Sequence, residues 1–298
     1  MSKKKGMVPL EPEDGLPLID VHCHVPWTSK KKGRIDNEIQ YQQFIENNGK
    51  IMITSTIDWE SMEVTLKFLE GKNRAFLAAG WAPQTVTFTS KNIHTENFMK
   101  WKQWIKNNPN KYVAIGEIGL DFHHAKKLSE RKRQIKYFKE ILRYTKNFGK
   151  PYQLHVRNPS KNDKDPKQPN HPYNEEDAAN HIVVKIIEEE NILPEHVMWH
   201  CFSGPKEWGE QLAKKGYNLS AVSSSYRSKR WRSNTKNAPL NKILTETDGP
   251  FQHPTSFRGF NTPTNVKYSV AAVAYSHNTN QKKVAETVLS NAKTLYEI

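Results

Sequence analysis

The sequence predicts a (β/α)₈ barrel, an α/β fold in which eight parallel strands alternate with helices. Eight short apolar runs, each bounded by turn residues, predict the strands. The runs cover residues 18–23, 50–56, 74–80, 112–119, 151–156, 196–201, 217–222 and 242–248. Amphipathic stretches between them predict the helices. An open, doubly wound sheet is the alternative, and the lack of a G-x-G-x-x-G motif after the first run disfavours it.

The helix between the fourth and fifth runs has the clearest boundaries. Ile135, Phe138 and Ile141 lie at helical spacing. We expect Ser129 to cap the beginning of this helix, and Gly149, followed by a proline, to mark its end.

Length and composition predict one large globular domain with a short tail. The chain has 298 residues, enough to bury a substantial core. We expect a loose, lysine-rich tail over residues 1–15 and a single barrel domain over residues 16–298. Residues 158–177, rich in proline, asparagine and lysine, interrupt the pattern. They predict a long loop or a partly mobile lid on the side of the C-terminal strand ends.

The chain is predicted to be a cytoplasmic protein with no membrane anchor. It has no run of 18 or more apolar residues, and its basic N-terminus lacks the apolar core of a secretory signal. Two cysteines, Cys23 and Cys201, are too few for a disulfide framework and fit a reduced compartment.

The charge balance predicts a polyanionic partner. Lysine and arginine number 45 against 31 aspartates and glutamates, which gives a formal net charge of +14. Such a field attracts nucleic acid, most simply DNA, and single-stranded DNA or RNA would satisfy it equally. A basic surface that only aids solubility is the alternative.

Six ionisable residues lie at the C-terminal ends of predicted strands, where barrel enzymes carry their chemistry. They are His22, His24, Glu117, His155, His200 and Asp248. Each alone has a common structural explanation, but together they would converge on one rim. Buried carboxylates are costly unless a cation pairs them, so the set predicts a metal centre. Histidine with carboxylate suits Zn, Mn, Fe or Co, and Mg prefers oxygen ligands.

Six ligands are too many for one tetrahedral ion, so we expect two divalent metal ions. With Glu117 as a bridge, His22, His24 and Asp248 would bind the first ion. His155 and His200 would bind the second. Two ions about 3.5–4 Å apart can clamp a phosphoryl group and activate a water molecule, and Asp248 would accept the proton of that water.

Residues near the ligands are predicted to support them or the substrate. Arg157 would share a side of the chain with His155 and could grip a phosphate, although a salt bridge to a loop acid is the alternative. Asp121, His123 and Glu246 could orient ligand histidines. Ser203 could bind phosphate or cap a helix.

A basic, aromatic stretch follows the seventh run, over residues 223–236. Basic groups there could grip a nucleic-acid backbone while aromatic rings stack on unpaired bases. The candidates for DNA contact are Arg227, Lys229, Arg230, Trp231 and Arg232. A solvated run of charge is the alternative.

Five blocks, in order, resemble the signature blocks of the TatD family of metal-dependent hydrolases. They are DVHCH, GEIGLDFH, LHVRN, HCFSG and ETDGP. The resemblance runs from about residue 18 to the C-terminus. It implies a TIM barrel of the amidohydrolase-like superfamily, a divalent-metal centre with the ligands above, and deoxyribonuclease activity of 3′→5′ exonuclease or repair type. The block FNTP (260–263) departs from the Arg-Asn-Glu-Pro that is usual in the family.

The sequence therefore predicts an enzyme that hydrolyses DNA phosphodiester bonds with a metal-activated water and with Glu117 and Asp248 at its catalytic centre. A hydrolase of a small amide, lactone or phosphoester is one alternative, which the positive charge disfavours. A nucleic-acid-binding protein without catalysis is the other, and the complete ligand set argues against it.

Overall fold

The computed structural model describes residues 8, 10–27, 35–160, 162–168 and 170–298, and its eight strands form one parallel sheet in chain order. The strands are β1 (Leu18–Cys23), β2 (Gly49–Ser55), β3 (Ala75–Ala79), β4 (Ala114–Asp121), β5 (Tyr152–Arg157), β6 (Val197–His200), β7 (Asn218–Val222) and β8 (Ile243–Glu246). Every neighbouring pair from β1–β2 to β7–β8 is parallel. The predicted (β/α)₈ barrel is confirmed.

Bonds outside the regular ladder close the barrel between β8 and β1. Thr245 Oγ1 donates to the carbonyl oxygen of Ile19 at 2.7 Å, and the amide of Asp248 donates to the carbonyl oxygen of His22 at 2.9 Å. The amide of His24 in turn donates to the carbonyl oxygen of Gly249 at 2.7 Å. This seam holds the loop after β8 against the end of β1.

Helices follow the strands and cover the outside of the barrel. They are α1 (Asn37–Glu46), α2 (Trp59–Leu69), α3 (Pro83–Phe88), α4 (Lys91–Asn107), α5 (Leu128–Thr145), α6 (Ala178–Glu189), α7 (Lys206–Lys214), α8 (Lys229–Thr235), α9 (Val266–Ser276) and α10 (Gln281–Tyr296). The predicted cap of α5 is wrong. Ser129 lies inside the first turn, and the helix begins after Lys127, whose amide donates to Glu130 Oε2 at 2.9 Å. Among the described residues, none of the helices is both long and apolar enough to cross a membrane.

Strand alternation sorts the side chains between the barrel interior and the helix layer. Cys23 is fully buried and packs with Phe44 and Met52 between the sheet and the helices. The side chains of His22 and His24, on either side of Cys23, therefore both point away from the helix layer. The alternation gives both histidines one orientation toward the rim.

Residues 158–177, which we call the insertion, are held against the barrel where the structure describes them. Arg131 of α5 is fully buried, and its guanidinium donates to the carbonyl oxygens of Tyr173, at 2.6 Å, and of Asp163. Asp163 Oδ2 lies 2.7 Å from His123 Nδ1. The insertion is thus a bonded wall next to the loop after β4.

Part of the predicted N-terminal tail lies outside the described residues, namely residues 1–7 and 9. The rest of it contacts the barrel. The amide of Val8 donates to the carbonyl oxygen of Tyr226 at 2.9 Å, and the hydroxyl of Tyr226 donates to the carbonyl oxygen of Leu10 at 3.0 Å. Gln281 Nε2 donates to the carbonyl oxygen of Glu11 at 2.8 Å. Val8 and Leu10 therefore contact the turn after β7, and Glu11 contacts the beginning of α10.

Candidate metal centre

All six predicted ligands lie at the C-terminal rim of the barrel. His22 lies at the end of β1 and His24 just after it, His155 lies in β5, His200 is the last residue of β6, and Asp248 lies in the loop after β8. Glu117 differs from the prediction, because it lies in the middle of β4, which continues to Asp121. A cavity of about 1420 Å³ opens on this rim, and five of the six ligands line it. Only His22 lies below its floor, fully buried. The structure thus brings the predicted set together.

One group of four ligand atoms has the spacing of a metal site. His24 Nε2 lies 3.6 Å from Glu117 Oε2 and 3.5 Å from Asp248 Oδ1. His22 Nε2 lies 3.8 Å from the same Glu117 oxygen. These separations are too long for hydrogen bonds. Two ligands about 2.1 Å from a tetrahedral ion would be about 3.4 Å apart, so the atoms sit near the spacing that an ion requires.

His22 supplies the strongest single sign that a cation fits here. Its Nε2 atom is buried and has no hydrogen-bond partner among the described residues. Burial and the neighbouring His200 hold the pKa of His22 well below its usual range, so the ring is neutral. A neutral imidazole with a free, buried nitrogen is the form that binds metal. The donor set of histidine and carboxylate therefore fits a divalent cation.

A second group joins Glu117 to His155 and His200. His155 Nδ1 contacts Glu117 Oε1 at short range, and His155 Nε2 lies 3.1 Å from Asp121 Oδ2. Donor atoms of Glu117, His155 and His200 all lie within 4.8 Å of one another. Because Glu117 belongs to both groups, its two oxygens could be ligands of two neighbouring metal ions.

The charges of the site are coupled through these contacts. Burial alone would lower the pKa of His155, but the carboxylates of Glu117 and Asp121 raise it to about 10. Burial alone would raise the pKa of Glu117, but the charge of His155 and its hydrogen bond hold that pKa well below its usual range. Glu117 is therefore ionised throughout the neutral range and available to a cation.

Two carboxylates hold ligand histidines from behind. Glu246 Oε2 lies 3.0 Å from His200 Nδ1, and its other oxygen accepts from the amide of Cys201 at 2.8 Å. Against burial, Glu246 raises the pKa of His200 to about 9. Asp121 makes the comparable contact with His155, and it also lies 2.7 Å from His124 Nδ1. Such partners fix the orientation of a ligand ring.

The other predicted contacts are divided between the cavity and other parts of the surface. Arg157, His123, Ser203, Arg230 and Trp231 line the cavity. Lys229 is exposed beside them, and the Arg227 guanidinium stacks 3.9 Å from the ring of Phe257.

Arg232 corrects the predicted DNA-binding set. It is 8% exposed, and its guanidinium donates to the carbonyl oxygens of Ser225 and Tyr226 at 2.8 and 3.0 Å. The residue lies on the inward side of α8 and supports the turn after β7, so we remove it from the contact surface.

Sequence reasoning missed several residues around the ligands. Gln153 contacts His22 Nδ1 at 2.9 Å, and Gln84 of α3 contacts both Asp121 and His155, at 2.9 and 3.2 Å. Gln153 could have been found, because it is a polar residue in an apolar run two positions before His155. Gln84 carries no such signal.

Comparison with known proteins agrees with this geometry. A family model described as TatD related DNase matches residues 19–297. The uncharacterized metal-dependent hydrolase YabD of Bacillus subtilis is 25% identical over 287 residues, covering 94% of this chain and 99% of YabD. TATDN3 of Mus musculus, whose name proposes a deoxyribonuclease, is 23% identical over 292 residues, covering 95% of this chain and 89% of its own.

A solved structure shows the same fold. The crystal structure of YjjV, a TatD homologue from Escherichia coli K12, matches with a TM-score of 0.74 at 23% identity, covering 94% of this chain and 98% of that chain. The family model spans the whole barrel and includes every one of the six ligands. The chain therefore belongs to the TatD family of metal-dependent hydrolases.

Proposed function

We propose that this protein is a deoxyribonuclease that hydrolyses phosphodiester bonds of DNA, with a preference for single strands. The observation that carries the proposal is the joint lining of one cavity by the metal centre and by four basic side chains. These are Arg157, Lys164, Lys206 and Arg230. Hydrolysis requires groups that stabilise the charge developing on the reacting phosphate. Binding of the strand requires basic side chains that contact the neighbouring phosphates.

The residues of this site would have separate roles in metal binding, proton transfer and phosphate binding. Glu117 and the histidines would hold the cations, and Glu246 and Asp121 contact two of those histidines and would keep them in place. When bound, divalent ions polarise the phosphoryl oxygen and lower the pKa of water. Asp248, which lines the cavity, would accept a proton there. Arg157 supplies a guanidinium for the phosphate.

Aromatic rings beside the centre favour an unpaired strand. Trp27 and Phe251 line the cavity, with their ring centroids 5.1 Å apart at an edge-to-face angle of 82°. Trp27 is also 6.0 Å from the ring of His24. Every base offers a face for stacking, so such rings hold single strands with little sequence preference. A base stacked there would place its phosphate near the ligands.

The proposal is tested by comparing DNA cleavage in wild type and two glutamate variants. Single- and double-stranded DNA are incubated with Mg²⁺ or Mn²⁺, with and without chelator. Glu117→Ala should abolish metal-dependent cleavage. Glu189→Ala, which removes an exposed glutamate paired with Lys139 on the barrel exterior, should leave it unchanged. Tight binding without cleavage under any metal, or turnover only of small esters, would contradict the proposal.

A further inference from the structure

Gln153 is a buried glutamine inside the barrel whose amide contacts a metal ligand. It lies in β5, fully buried, two residues before His155 and on the same side of the strand. Its Oε1 atom is 2.9 Å from His22 Nδ1 and accepts from Ser55 Oγ at 2.7 Å. Its Nε2 atom donates to the carbonyl oxygen of Val21 at 2.8 Å.

The Val21 contact fixes which way the amide points. A backbone carbonyl only accepts hydrogen bonds, so the amide atom facing Val21 must be the nitrogen of Gln153. The same nitrogen donates to the hydroxyl of Tyr296 at 3.0 Å, and that hydroxyl donates onward to Met198 Sδ at 3.3 Å. The oxygen is thereby directed at His22.

The fixed amide determines the tautomer of His22. An amide oxygen has no proton, so a contact of 2.9 Å with His22 Nδ1 requires that this nitrogen carry the hydrogen. Ser55 Oγ lies 3.0 Å from the same nitrogen, and since its own proton goes to Gln153, it adds a second acceptor. With the proton on Nδ1, the lone pair of a neutral ring is on Nε2, the atom that lies free among the ligands.

We propose that Gln153 is a positioning residue that holds His22 in the Nδ1–H tautomer, and that Tyr296 of α10 holds the Gln153 amide in turn. The last helix of the barrel thereby contributes to the metal centre, although it supplies no ligand. The inference concerns metal binding and does not depend on whether the substrate is DNA.

The tautomer can be read directly in the full-length protein. Histidine labelled with ¹⁵N gives different shifts for protonated and unprotonated ring nitrogens, and a His22→Gln variant assigns the His22 signals among the twelve histidines. Wild type should show a protonated Nδ1 and an unprotonated Nε2. Gln153→Met should lose this preference, whereas Gln153→Glu, which keeps an acceptor facing His22, should retain it.

Zn²⁺ affinity, measured by competition with a fluorescent chelator, gives a second readout. Gln153→Met should weaken Zn²⁺ binding roughly 10- to 100-fold, as loss of such a partner does elsewhere. Tyr296→Phe should weaken it by a smaller factor. Tyr152→Phe is the matched control, because it removes another buried tyrosine hydroxyl of this barrel, 3.0 Å from Thr145 Oγ1, and should leave the affinity unchanged.

Two results would overturn the proposal. One is a wild-type His22 with its proton on Nε2. The other is a Gln153→Met protein with the wild-type tautomer and the wild-type Zn²⁺ affinity. If that variant does not fold, the wild-type spectrum together with Gln153→Glu and Tyr296→Phe decides the question.

Discussion

Replacing Arg131 with methionine would release the insertion from the barrel. The buried guanidinium of Arg131 donates to the carbonyl oxygens of Ala125 and Tyr173 at 2.7 and 2.6 Å, and to Asn174 Oδ1 at 2.5 Å. It also donates to the carbonyl oxygen of Asp163. One of these acceptors, Ala125, lies in the loop after β4, and the other three belong to the insertion. Methionine would fill similar space and satisfy none of them.

The cost of this change can be estimated from the contacts. Hydrogen bonds to a charged group contribute about 1.5–3 kcal/mol each, but those of one side chain are not additive. Leaving a buried acceptor without a donor costs about 1–3 kcal/mol, so the loss of several at once, with less than full additivity, should cost about 3–5 kcal/mol in total. An unfolding entropy of about 2.1 cal/mol/K per residue gives about 0.6 kcal/mol/K for a chain of this length. The melting temperature should therefore fall by about 5–8 °C.

Calorimetry and limited trypsin digestion would measure the two consequences. Arg131→Met should melt early and be cleaved after Lys164 or Lys167, inside the insertion. Arg131→Lys keeps the charge but loses the fork of donors, so its melting temperature and its resistance to trypsin should lie between those of wild type and Arg131→Met. Arg133→Met is the matched control, because Arg133 lies in the same helix and its hydrogen bonding to the described residues is a single long contact, 3.4 Å, with the carbonyl oxygen of Thr89. A melting temperature within 1 °C of wild type, with the insertion protected, would refute this reasoning.

Three further expectations concern acid stability, the backbone of β4 and metal binding. Burial would raise the pKa of Asp163, but hydrogen bonds from Ser160 hold it well below its usual range. Its stabilising effect is full above the unfolded pKa of about 3.9 and is lost as the pH falls below it, so Asp163→Asn should flatten the melting profile between about pH 4 and pH 2, and a parallel profile would contradict this. Gly119 has a φ of 139°, and an added Cβ would collide with the carbonyl oxygen of His155. Gly119→Ala should therefore lower the yield of folded protein severely, whereas Gly71→Ala, which shares the strain of a positive φ (74°) but has open space, should cost less; equal yields would contradict this. Zn²⁺ at about 100 times its Kd should stabilise the protein by about 2.7 kcal/mol and raise its melting temperature by about 4 °C, and no rise would argue against the metal centre.

The fold and the ligands were predictable because both depend on local properties of the chain. A run such as 151–156 identifies a buried strand from its own composition. In a parallel barrel all strand ends of one kind meet at one rim, so His155 and His200 could be placed together without any knowledge of their contacts. Strand alternation then placed His22 and His24 on one side and Cys23 on the other.

The supporting residues could not be predicted, because their partners lie far away in sequence. Gln153 bonds to residues 131 and 143 positions away on either side, and nothing in its own segment indicates which amide atom faces which partner. Arg232 illustrates a related difficulty. The run of basic residues predicts one surface, but the helix turns Arg232 inward while Arg230 remains at the cavity. Composition alone does not distinguish those two directions.

The metal centre and the closure of the barrel use the same backbone. The amide of Asp248 donates to the carbonyl oxygen of His22, and the amide of His24 donates to that of Gly249. Three of the four residues in the first ligand group, His22, His24 and Asp248, therefore belong to the seam between β8 and β1. No regular ladder joins those strands among the described residues, in contrast to the seven other neighbouring pairs. A cation held by His24 and Asp248 would therefore tie the first strand to the last. Because binding to the folded state alone stabilises it by mass action, the energy of metal binding is also energy of barrel closure.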